Sequence, residues 1–79
     1  MNTTVCYYRE CDFFGASDPV KALCKKAGKE TKIDPLKLED YINSGNPNMI
    51  YNENGKRIKF SLRNSSYISY IELTIWEVK

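Results

Sequence analysis

Seven residues near the C-terminus restrict this chain more than any others. In Arg57-Ile58-Lys59-Phe60-Ser61-Leu62-Arg63, polar and apolar side chains alternate without a break. That is the period of a strand with one wet face and one buried face. Immediately before it stands Asn54-Gly55, the dipeptide best suited to a two-residue turn in which both positions need positive φ. A hairpin closed there flanks the turn with Glu53 and Lys56. It also sets Tyr51 opposite Ile58 and Met49 opposite Phe60, so that one face becomes continuously apolar.

The chain offers a third strand directly afterwards. Asn64-Ser65-Ser66 reads as a turn and Tyr67 to Val78 as the longest strand, with Ile71, Leu73 and Ile75 on one face. A two-residue Ser65-Ser66 loop would place Phe60 against Ile71, Ile58 against Leu73 and Lys59 against Glu72. Ahead of the hairpin, two helices announce themselves with the same start signal. Asp18-Pro19 and Asp34-Pro35 each combine an N-cap acceptor with a proline suited to the first helical position. Val20, Leu23, Cys24 and Ala27 form the buried stripe of the first helix, expected to run about ten residues to a stop at Gly28. On that reading Lys25 and Lys26 sit in its last turn, against the negative end of the helix dipole. Leu38, Tyr41 and Ile42 form the stripe of the second helix, stapled by Ile33 and ended by Gly45.

Thr3 to Arg9 suits a strand, but both of its alternating sets are apolar, so its faces are not assignable. Glu10 to Ser17 is expected to be a loop that tucks one of Phe13 and Phe14 under the sheet. The whole is one α+β domain spanning residues 1–79: a four-stranded antiparallel sheet with two helices packed on one face, in the order β-α-α-β-β-β. The long last strand is expected between the third strand and the first.

Composition narrows the chemistry. There is no histidine, which removes Cys-His and Ser-His-Asp nucleophilic systems and every histidine-containing metal site. Cys6, Cys11 and Cys24 match no zinc-binding spacing and their odd number argues for reduced thiols, so we expect no metal, no cofactor and a cytoplasmic chain. Met1 reads as a true start with no leader, and no run of residues is apolar and long enough for a membrane span. Glu10 with Asp12, or Glu39 with Asp40, could serve as an acid–base pair, but both pairs read as solvated charges and we expect no enzymatic activity.

What remains is the polar face of the sheet. Tyr70 and Trp76 share strand parity with the polar positions, among Arg57, Lys59 and Arg63. Exposed Trp, Tyr and Arg are the residue types that dominate protein interfaces. The expected function is therefore a small protein-binding module, an inhibitor or adaptor, with Arg57, Lys59, Arg63, Tyr70 and Trp76 as its partner-binding residues. Asn, Lys, Ile and Tyr make up 29 of the 79 residues, a bias that AT-rich coding produces and that suits a virus- or mobile-element-encoded accessory protein. The alternative is a nucleic-acid binder that uses the basic hairpin Lys56 to Arg63 and the lysines of the first helix, although the net charge is only +2.

Overall fold

The computed structural model describes residues 2–78. Its elements are β1 (Asn2–Arg9), a 3₁₀ turn (Glu10–Phe13), α1 (Pro19–Thr31), α2 (Pro35–Ser44), β2 (Ile50–Glu53), β3 (Lys56–Asn64) and β4 (Ser69–Val78). The strands form one antiparallel sheet in the order β1-β4-β3-β2, as the sequence implies. Leu23, Cys24, Ala27, Ile33, Leu38 and Ile42 from the helical layer close on Cys6, Ile58, Phe60, Leu73 and Ile75 from the sheet. All five sheet residues lie on one face, so the helices cover that face and leave the other open.

The Asn54-Gly55 turn forms with φ of 52° and 75°, and β2 pairs with β3 in the expected register, Tyr51 facing Ile58. Tyr51 also stacks on Tyr41 of α2, their ring centroids 4.5 Å apart, and the Tyr41 hydroxyl donates to Glu53 at 2.7 Å. These contacts fasten the short edge strand to the helical layer. Met49 does not join them. β2 begins at Ile50 and the Met49 side chain is about half exposed, because the Asn46–Asn48 turn carries it past the end of the ladder.

Both helix starts are as expected. Asp18 accepts from the Lys21 N–H at 3.1 Å and Asp34 from the Leu36 N–H at 3.0 Å. The first helix, however, does not stop at Gly28 but continues to Thr31, and the left-handed residue that ends it is Lys32, at φ 61°. Gly28 is needed for closeness, not for a turn. A Cβ there would lie 2.6 Å from the Ile33 carbonyl oxygen and 2.8 Å from Pro35 Cγ, so only glycine lets the start of α2 fold back against α1. Lys25 and Lys26 are consequently mid-helix, and only Lys29 is near the C-terminal dipole.

The β3–β4 connection also departs from expectation. Asn64 pairs with Ser69, leaving a four-residue loop, and the ladder is shifted by two residues: Phe60 faces Leu73, Ile58 faces Ile75, and Lys59 faces Thr74. Ser65 causes this. Its N–H donates to the Ile68 carbonyl at 2.8 Å and its hydroxyl accepts the Ile68 N–H at 3.2 Å, closing a wider loop than Ser65-Ser66 alone. An even shift preserves faces, so Leu73 is fully buried as expected. Leu62 is on the core face but more than half exposed.

β1 resolves its own ambiguity with a bulge. The register shifts between Thr4 and Cys6, so Thr4 faces Trp76 on the open side while Cys6 faces Ile75 in the core. Tyr8 then packs against the core and Tyr7 turns outward. Phe13 tucks in, while Phe14 remains exposed. No helix among the described residues is long and apolar enough to cross a membrane.

Candidate functional site

The open sheet face is arranged in rows fixed by strand register. Thr4, Trp76, Arg57 and Asn52 form one row across the four strands, and Tyr7, Thr74, Lys59 and Ile50 form the next. Arg9, Glu72 and Ser61 follow, and then Tyr70 with Arg63. Directly opposed residues have Cβ atoms about 5 Å apart, so each row is a set of touching or nearly touching side chains. All five residues expected at the site, Arg57, Lys59, Arg63, Tyr70 and Trp76, therefore stand on this one face.

Their electrostatic situations differ. The Arg63 Nε donates to Glu72 at 2.6 Å, and the Tyr7 hydroxyl donates to the other oxygen of the same carboxylate. The Tyr7 hydroxyl and then Arg63 hold the Glu72 carboxyl below the usual carboxylate range, and the Glu72 carboxylate in turn raises the pKa of Tyr7. Arg63 is thus neutralised in place. Arg9, one strand away, is bound by Asp12 at 3.1 Å. Arg57 and Lys59 make no ion pair among the described residues, so the unpaired positive charge of this face is concentrated on these two.

Trp76 lies between Thr4 and Arg57 and is half-buried. Its indole Nε1 is shielded from solvent yet has no hydrogen-bond partner among the described residues. A buried donor without an acceptor costs about 1–3 kcal/mol. The ring therefore presents apolar surface outward while its polar edge faces the protein.

Of the carboxylates weighed as acid–base pairs, Glu10 and Asp12 are occupied otherwise. Glu10 accepts the backbone N–H of Ile71 at 3.0 Å, and Asp12 holds Arg9. A shallow concavity beside the start of α1 is lined by Ala16, Asp18, Lys21 and Lys25, with Asp18 already committed to its capping bond. The lysines of α1 are exposed on the helical layer, on the opposite side of the sheet from Arg57 and Lys59, with Lys26 set 5.9 Å from the Tyr8 ring centroid. The two basic segments thus do not share a surface.

Two residues of the open face escape the sequence reading. Tyr7 is hidden there by the bulge, which swaps strand parity halfway along β1. Ile50, about half exposed, follows from alternation once Tyr51 is placed inward. Comparison of the chain with protein-family models, with curated proteins and with solved structures finds no significant match.

Proposed function

We propose that this protein is a non-catalytic binding module that occupies a surface of another protein through the open face of its sheet, with Trp76, Tyr70 and Arg57 as main anchors. Lys59 adds charge beside them, while Arg63, bound to Glu72, positions the row that carries Tyr70. The observation that carries this reading is the one-sided sheet. Its helices cover one face, and the other carries exposed Tyr7 and Ile50 with half-buried Tyr70 and Trp76 around two cations that have no ion-pair partner among the described residues. The aromatic surface that these side chains leave in water adds little to stability, and contact with a partner would complete their burial. The unpaired cations favour a partner surface that is acidic opposite Arg57 and Lys59.

An inhibitor or adaptor role fits the small size, and the coding bias fits a viral or mobile-element origin. The three cysteines are free thiols, which suits a reducing compartment such as the cytoplasm. The test is capture of a partner from the native host followed by calorimetry of the purified pair. Trp76→Ala or Tyr70→Ala should weaken binding by about 2 kcal/mol or more and leave the fold intact. Salt should matter moderately. If the protein instead binds DNA or RNA, losing about a thousandfold in affinity between roughly 50 and 200 mM salt and losing all of it when Lys56, Arg57 and Lys59 are neutralised, the nucleic-acid reading replaces this one.

A further inference from the structure

The β3–β4 ladder outruns both of its neighbours. β2 stops at Ile50 opposite Lys59, with one further bond from the Asn48 N–H to the Phe60 carbonyl at 2.7 Å, and β1 stops at Arg9 opposite Glu72. The pairs Leu62 with Ile71, Arg63 with Tyr70 and Asn64 with Ser69 therefore continue as a two-stranded arm, ending in the loop of residues 65–68. At about 3.3 Å per residue the arm projects roughly 10–15 Å.

An unsupported hairpin in water is marginal, and this one is braced at both ends. At its base the Glu10 carboxylate caps the Ile71 N–H and Arg63 grips Glu72. At its tip the Ser65 N–H and hydroxyl both engage Ile68. The brace holds outward a tyrosine that touches almost nothing: Tyr67 is 99% exposed, with Ile68 beside it at 45%. From Asn64 to Tyr70 the arm carries no charged residue. A tip meant for phosphates would carry a cation or a cluster of free N–H groups. Tyrosine among serines is instead the chemistry of protein-recognition loops, giving large amphipathic contact at low entropic cost with adaptable hydrogen bonding.

We propose that the β3–β4 arm is a plug: Tyr67 enters a concave, uncharged, apolar-walled cleft on the same partner protein that the open sheet face covers. This deepens the protein-binding reading and rests on it. The two contacts are continuous, because Tyr70 and Arg63 belong both to the open face and to the outer side of the arm. A partner with an acidic rim and a neutral cleft would meet Arg57 and Lys59 with the first and Tyr67 with the second.

The test uses the full chain with Tyr67 replaced by photoreactive p-benzoylphenylalanine, irradiated in lysate of the native host. A discrete protein adduct should form, suppressed by excess unlabelled wild-type protein and equally by Ser66→Ala. Tyr67→Ala should need about 30-fold more to compete, the equivalent of about 2 kcal/mol, while its unfolding midpoint matches wild type. Competition by Tyr67→Ala at wild-type strength overturns the plug, as does the absence of an adduct or an adduct with nucleic acid, lipid or a second copy of this chain. A Trp76→Ala competitor separates the two readings. If it fails to compete while Tyr67→Ala succeeds, the sheet face binds and the arm does not; if both compete fully, neither surface is the contact.

Discussion

Gly28→Ala sets two magnitudes against each other at one position. In an open helix interior the change stabilises by about 1 kcal/mol, because alanine loses less backbone entropy than glycine on folding. Here the new methyl would stand 2.6 Å from the Ile33 carbonyl oxygen and 2.8 Å from Pro35 Cγ, against an ordinary separation of about 3.5 Å. Neither atom can move alone. Ile33 is buried in the core at 2% exposure, and Pro35 follows Asp34, whose carboxylate caps α2. Relief by roughly 0.7–0.9 Å would shift the start of α2 as a unit, and overpacking of this kind costs about 1–3 kcal/mol. Because a backbone carbonyl and a proline ring must shift together, the cost falls in the upper part of that range, about 2–3 kcal/mol, and exceeds the gain by about 1–2 kcal/mol. In a domain of this size that lowers the melting temperature by about 5–15 °C. Urea titration and thermal melts by circular dichroism measure both. Gly15→Ala is the control, since nothing lies within 4 Å of its Cβ position, and should stay within about 0.5 kcal/mol of wild type. A Gly28→Ala protein as stable as wild type, or more so, would refute the argument that closeness of α1 and α2 requires this glycine.

Leu73→Ala removes a fully buried side chain between the sheet and the helices and should cost about 2–5 kcal/mol in urea unfolding, whereas a loss below 1 kcal/mol would mean that the core collapses around the vacancy. Burial pushes the Cys24 thiol up to about 12 and the Cys6 thiol up to about 11, so a thiol reagent should label Cys11 quickly in the native protein and all three cysteines only after denaturation. Rapid native labelling of Cys24 would contradict its place in the core. The Glu72 carboxyl is held low by Tyr7 and Arg63, so it contributes stability above the ordinary carboxylate pKa that is lost as pH falls through the lowered value. The stability gap between wild type and Glu72→Gln, measured by urea midpoints, should accordingly be present at neutral pH and close in acid; a gap that does not vary with pH would remove Glu72 from the network.

Legibility in the sequence followed the range of the interactions involved. Helix starts and the first hairpin depend on neighbours within a few residues, so Asp18-Pro19, Asp34-Pro35 and Asn54-Gly55 could be read directly. The sheet faces were legible because parity survives an even slip, which is why Leu73 was placed in the core although its partner is Phe60 and not Ile58. Gly28 is ambiguous in the sequence, because a glycine after an apolar stripe is the same signal whether it ends a helix or admits a neighbour. Which of the two applies depends on Pro35, seven residues on, folding back. The open face was readable on β3 and β4 but not on β1, since a bulge leaves no mark in a strand where both alternating sets are apolar. The pairing of Arg63 and Tyr7 with Glu72 depends on three strands at once and has no local signature.

The same bulge also bears on how copies of this chain meet one another. A sheet of this order has two rims, β1 and β2, each a row of backbone groups able to recruit a foreign strand. The register break between Thr4 and Cys6 bends the first rim and interrupts its ladder. The second rim is only four residues long, and its Tyr51 and Glu53 side chains are tied back to α2. Neither offers the long flat template on which chains polymerise, so the sheet can leave one face without helices and still not supply the edge that would turn crowding into fibres.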